Sequence, residues 1–161
     1  MNIAINLERT AFYFPHGTAV IENGKSIPYG EFNEDASRVA GSLKGLGIVP
    51  GDTVALFAPN SYHWLVFYFG ALKVGAAVAT PASALSRDEI FNTFRDCRPK
   101  VVFTTDDRLN QLESMKDETG IEYLVAPGTP TGMDSLLTGG SPHFKAVYCD
   151  RHATADRKSV V

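Results

Sequence analysis

The amino-acid sequence predicts an α/β fold: a mostly parallel sheet flanked by helices and preceded by a short β-hairpin. Two observations carry this. Short apolar runs such as "TVALFA" and "KVVFTT" alternate with segments whose apolar residues recur every three or four positions, and that alternation of strand and helix builds a parallel sheet with helices on its faces. An Asn-Gly dipeptide, Asn23-Gly24, also stands between two apolar runs near the start, which is the strongest short-range signal for a tight hairpin.

Taken in order, "TAVIENGKSIPY" supplies the hairpin. After Tyr29, the residues Phe32, Ala36, Val39, Ala40, Leu43 and Leu46 mark one face of an amphipathic helix that Gly45 and Gly47 end. Pro50-Gly51-Asp52 makes a turn, and Thr53 to Ala58 is a continuous apolar run of the kind expected for a strand covered on both faces. Pro59-Asn60-Ser61 breaks that run and offers a helix cap. Tyr62 to Val74 is apolar nearly all round, so its helix is expected inside, followed by a short buried strand in "GAAVATP".

Ser86 and Glu89 have the spacing of a capping box, opening a helix with Ile90, Phe91 and Phe94 inward, and Pro99 forbids its continuation. "KVVFTT" is the next strand. Asp106 or Asp107 is expected to cap a helix carrying Leu109, Leu112 and Met115, closed by Gly120 before the strand "IEYLV". Beyond Ala126 the pattern becomes loop chemistry around one helical turn at Met133 to Leu137.

Composition narrows the function classes. The chain has 161 residues, 44% of them hydrophobic and 20% charged, with a net charge of -3, the profile of a globular protein with a sizeable core. Basic residues are scattered, so no nucleic-acid partner is expected. Tyr62 to Val74 is shorter than the ~20 apolar residues of a membrane span and carries His63 and Lys73, so no transmembrane segment is expected. Cys97 and Cys149 are too few for a disulfide scaffold, which points to a reducing, cytoplasmic setting.

Each candidate for chemistry has a plainer reading. Gly24-Lys25-Ser26 has part of a phosphate-loop motif, but Ala19 stands where that motif needs glycine, and a hairpin turn accounts for it. The loops "GTPTG" and "TGGS" follow a strand and could present N–H groups to a phosphate, yet lack a nearby lysine and read as surface loops. Cys149 and His152 have ligand-like spacing without a second pair. Ser141 lacks the second glycine of a nucleophile elbow, because His143 occupies that position. His63 either lines a pocket or packs, packing being the reading favoured, and Asp106 and Asp107 are explained by a helix start. The residues alone therefore assign no catalytic, cofactor-binding or metal-binding position.

Read together, "IPYGEFNEDASRVAGSLKGLGIVPGDTVALFAPNS", "GALKVGAAVATP" and "LSRDEIFNTFRDCRPKVVFT" resemble the opening of the adenylate-forming (AMP-binding) enzymes, in the branch of the acyl-CoA synthetases. The likeness runs from about Asn6 to Val125; Pro28 and the segment "TPASALS" depart from the usual pattern. The resemblance implies the N-terminal subdomain of that fold, incomplete here, with residues 1–155 a partial AMP-binding domain and 156–161 a non-native tail. It implies a ligase that joins a small-molecule carboxylate, by default a fatty acid, to coenzyme A through an acyl-adenylate, using ATP and Mg2+.

In the family this chemistry belongs to a Ser/Thr/Gly-rich loop ending in Pro-Lys-Gly, an aromatic-Thr-Glu segment, a ribose-binding Asp and a Lys on a mobile C-terminal domain. None of these occurs in the 161 residues. The site assignment stays empty, and the expected fragment is inactive alone and binds no cofactor itself. The alternative is a non-catalytic α/β module that binds a nucleotide or a protein.

Overall fold

The computed structural model describes residues 2–148 together with the backbone of 156–157. The hairpin forms as expected: β1 (Thr18–Glu22) pairs antiparallel with β2 (Lys25–Pro28), with Glu22 opposite Lys25. Asn23 and Gly24 between them have φ of 51° and 78°, the positive pair that lets a two-residue turn follow the right-handed twist of the strands.

Before the hairpin lies a helix that the sequence pattern did not announce, α1 (Ala4–Tyr13), which buries Ala4, Leu7 and Ala11. After the hairpin, α2 (Tyr29–Gly45) buries Phe32, Ala36, Val39, Ala40 and Leu43, the stripe that the periodicity predicts. Gly47 (φ 87°) turns the chain out of it. The main sheet then begins with β3 (Thr53–Phe57), every residue of which is buried.

The remaining parallel unit runs α3 (Tyr62–Val74), β4 (Ala77–Ala79), α4 (Arg87–Cys97), β5 (Val101–Thr104), a 3-10 turn at Asp106–Arg108, α5 (Leu109–Glu113), α6 (Lys116–Thr119), β6 (Tyr123–Val125), α7 (Met133–Gly139) and β7 (Asp156–Arg157). The five strands are ordered β6-β5-β3-β4-β7, and every neighbouring pair is parallel. Of the tail 156–161 only the backbone of β7 is described; Cys149, His152 and residues 158–161 lie outside the described residues.

Both faces of the sheet are covered. Val54, Leu56, Val78, Val101, Phe103 and Val125 pack in one cluster with residues of α1, α2, α3 and α7. Their alternate neighbours Ala55, Phe57, Ala79, Val102 and Leu124 pack in a second with Ile90, Phe94, Leu112 and Met115. The period-two alternation of a strand thus feeds two cores at once, which is why these strands read as unbroken apolar runs.

Where helices α2 and α3 meet, a Cβ on Gly70 would stand 2.7 Å from Val39 Cγ1 and 3.1 Å from the Ala36 carbonyl oxygen. Only a hydrogen at that position permits so close an approach. Two of the three expected caps are in place: Ser61 Oγ accepts from Trp64 N–H (3.1 Å) to open α3, and Ser86 with Glu89 forms the full capping box of α4.

The expected helix after β5 takes a different form. It is broken into a 3-10 turn and two short helices, although Leu112 and Met115 face the core as predicted. Ser114 Oγ donates to the Gln111 carbonyl (2.7 Å) at the break, a local bond that competes with the helical ladder. Neither aspartate makes a side-chain cap there. Asp106 Oδ1 instead accepts from Gly128 N–H at 2.7 Å, tying the loop after β6 to the end of β5.

Candidate functional site

The strand order creates one crevice by topology. From β3 the chain moves through α3 to β4 on one side; α4 then carries it back across β3 to β5, and it continues outward to β6. The connections leaving β3 and β5 therefore depart in opposite directions, α3 over one core and α5 with α6 over the other. Loops that diverge from adjacent strand ends leave a gap at the carboxyl edge of the sheet, the place where open α/β sheets bind ligands.

A cleft of about 520 Å³ occupies that position, formed by the loops after β3, β5 and β6 and the start of α7. Its floor is apolar, with the buried Phe103, Ala126 and Met133. Asn60, His63, Asp134 and Ser135 stand exposed on its rim. This volume lies within the ~300–1,000 Å³ of ordinary small-molecule sites. The lining includes one carboxylate, that of Asp134, one imidazole, that of His63, and no lysine or arginine.

His63 is thus a correction to the packing expectation: it begins α3 on the exposed side, at the cleft, while Tyr62 beside it turns inward. The Tyr62 hydroxyl donates to Asp35 (2.8 Å), and burial followed by that carboxylate pushes it far above the ordinary phenol range. Burial leaves it a structural donor rather than a base.

Thr129 and Gly132 of the loop "GTPTG" line the cleft, yet three of the loop's four N–H groups are already bonded from within. Gly128 N–H bonds Asp106, Thr129 N–H bonds the Ala126 carbonyl (3.0 Å), and Gly132 N–H bonds the Thr129 carbonyl (3.0 Å). A phosphate oxygen would have to displace those acceptors, one of them a carboxylate. Gly24-Lys25-Ser26 lies in the hairpin, where Lys25 pairs loosely with Glu31 (3.9 Å). Ser141 Oγ accepts from His143 N–H (3.2 Å) in a loop. The structure does not bring these candidates together.

Among the described residues no group of three His, Cys, Asp or Glu side chains could hold a metal ion. The cleft lining offers no cationic side chain, and the N–H groups of Gly128, Thr129 and Gly132 are already bonded, so this cleft does not by itself supply the positive charge that a nucleoside triphosphate with its Mg2+ requires. No described helix is long and apolar enough to cross a membrane.

Comparison with known proteins defines the class. A profile of the AMP-binding enzymes matches residues 7–153, and the chain belongs to that family. Its fold corresponds to the N-terminal part of the adenylate-forming enzymes. It is 32% identical over 127 residues to the acetoacetyl-CoA synthetase of Caenorhabditis elegans, a match that takes in 71% of this chain and 18% of that protein.

Among solved structures it is similar to the anthranilate CoA ligase AuaEII in complex with anthranoyl-AMP, with a TM-score of 0.89 and 24% identity over 97% of this chain and 30% of that one. It is equally similar in fold to a long-chain-fatty-acid-CoA ligase from Archaeoglobus fulgidus, with a TM-score of 0.89 and 18% identity over 98% of this chain and 34% of that one. The chain spans under a fifth of the length of the curated relative and about a third of the solved structures.

Proposed function

We propose that this chain is the N-terminal scaffold of an AMP-forming acyl-CoA synthetase. The observation that carries the reading is the family match across residues 7–153, joined to a parallel sheet whose carboxyl edge is open to further segments. The proposed reaction activates a carboxylate, which is a poor electrophile, by joining it to the α-phosphate of ATP with release of pyrophosphate. The thiol of coenzyme A then attacks the acyl carbon and AMP leaves. Such chemistry rests on positioning and on neutralising phosphate charge, and the described residues supply the platform for those groups rather than the groups themselves.

The acyl substrate we assign to the fatty acids, on the resemblance of the opening segments. The relatives named above carry three different acyl classes in their names, so the substrate test includes all three. Carboxylate-dependent exchange of pyrophosphate into ATP is measured with palmitate, acetoacetate and anthranilate, using a protein in which this segment is joined to the remaining segments of the family and, separately, the 161-residue chain. Exchange driven best by palmitate in the former, with none in the latter, is the expected result. Exchange catalysed by the 161 residues alone would overturn the scaffold reading, and preference for acetoacetate or anthranilate would overturn the fatty-acid assignment.

The alternative, a non-catalytic α/β module, is separated by the same material: saturable ATP binding by the 161-residue chain without exchange would favour it.

A further inference from the structure

The cleft at the carboxyl edge of β3 and β5 has a chemical character opposed to the proposed substrates. ATP, coenzyme A and a carboxylate are all anions, whereas the lining contains Asp134 and no lysine or arginine. Asp106 stands behind the Gly128 loop as a second carboxylate. Three of the four glycine-loop N–H groups that might have offset this charge, those of Gly128, Thr129 and Gly132, are bonded within the protein, to Asp106, the Ala126 carbonyl and the Thr129 carbonyl.

Below the rim the walls are suited to an uncharged body. Phe103 and Met133 are 7% and 8% exposed and form an apolar floor. Met133 is an adaptable thioether that makes favourable contacts with aromatic rings. At the mouth, the side chains of Asn60, Thr105, Asp134 and Ser135 make no hydrogen bond to other described residues. An apolar floor with a few convergent, uncommitted polar groups is the usual composition of a small-molecule site.

We propose that this cleft is a binding site for a small, compact molecule with an apolar or aromatic body and a protonated amine at one end, the ring seated on Phe103 and Met133 and the ammonium at the Asp134 carboxylate. Asn60 and Ser135 supply further acceptors for its N–H groups. The inference does not rest on the acid-activation reading.

The test uses the 161-residue chain with 13C-methyl-labelled methionine and two probes of matched shape, 2-phenylethylamine and 3-phenylpropanoate. The amine is expected to shift the Met133 methyl resonance saturably and to bind about fivefold or more tightly than the carboxylate, the scale of one rim charge contact. Asp134→Asn should abolish that preference, and Ser135→Trp, which sets an indole over the mouth, should remove the saturable shift. The proposal is overturned if neither probe shifts Met133, if the carboxylate binds as tightly as the amine, or if the preference persists in Asp134→Asn. Should either variant fail to fold, the comparison of the two probes on the unaltered chain is decisive by itself.

Discussion

Lys73 Nζ donates to Glu8 Oε1 at 2.6 Å, with the lysine side chain wholly buried and the glutamate 27% exposed. The same Glu8 oxygen accepts from Ala146 N–H (2.7 Å), and the Lys73 carbonyl accepts from Val147 N–H (2.8 Å). One buried ion pair thus joins helix α1, helix α3 and the segment that approaches β7. Asn2 reinforces the junction, donating to the carbonyls of Leu72 (2.6 Å) and Val147 (3.0 Å).

Removing one partner of this pair leaves a buried charge without compensation. Glu8→Ala is expected to cost about 3 kcal/mol, the lower end for a broken buried pair because the glutamate is part-exposed. Replacing both, Glu8→Gln with Lys73→Met, should recover most of that loss, since well-packed neutral groups often match a buried pair. Urea denaturation of the three proteins checks this; a double variant no more stable than Glu8→Ala would show that packing, not charge, is what the site requires.

The pair also sets a pH dependence. Burial holds the Lys73 ammonium below the usual lysine value, the Glu8 hydrogen bond and charge opposing that only in part. Between its folded value and the unfolded one of about 10.4, the unfolded chain binds the extra proton, so the contribution of Lys73 to stability rises with pH. The stability difference between the unaltered chain and Lys73→Met should therefore shift in favour of lysine as pH approaches that value. Lys100, held above the usual lysine value chiefly by its hydrogen bond to Asp52, acts in the opposite sense, but it is common to both proteins and cancels.

Helix α4 depends on the residue that caps it. Ser86 Oγ accepts from Glu89 N–H while the Glu89 carboxylate accepts from Ser86 N–H (2.7 Å). Ser86→Ala should destabilise the chain by about 1 kcal/mol. The Ser86 hydroxyl and N–H also hold the Glu89 carboxyl below the ordinary glutamate value. Its contribution is present above the unfolded value and lost as pH falls through the folded one, so the acid limb of the stability curve should be shallower in Ser86→Ala. Thermal unfolding from pH 7 to pH 3 measures both effects.

Contact between α2 and α3 admits no methyl group at Gly70, where an added Cβ would stand 2.7 Å from the Val39 side chain. Gly70→Ala should cost about 1–3 kcal/mol by overpacking, despite the better helix propensity of alanine. Val39→Ala, harmful alone, should partly rescue it, giving a favourable coupling energy in a double-mutant cycle. Additive costs would show that the helices separate freely instead.

Much of the fold was legible because its signals are local. Asn23-Gly24, Ser61, Ser86 with Glu89, and the stripe from Phe32 to Leu43 each act within a few residues along the chain. Helix α1 was missed for the opposite reason: its buried face is only Ala4, Leu7 and Ala11, and what holds it, Glu8 with Lys73 and Asn2 with Leu72, is far away in sequence. Asp106 was misassigned on the same grounds, since a cap is a local reading while its partner, Gly128, comes from the next strand loop.

The sequence by itself determined the α/β class, the order of most elements and the family, because period, caps and turn residues are written in neighbouring positions. Tertiary structure alone decided where the cleft lies and which side chains line it. His63 and Asp134 reach one rim only because the chain crosses back over β3, and the Gly128 N–H is committed only because Asp106 of the neighbouring strand loop already accepts from it. Those are properties of strand order and of long-range hydrogen bonds, which no window along the chain contains.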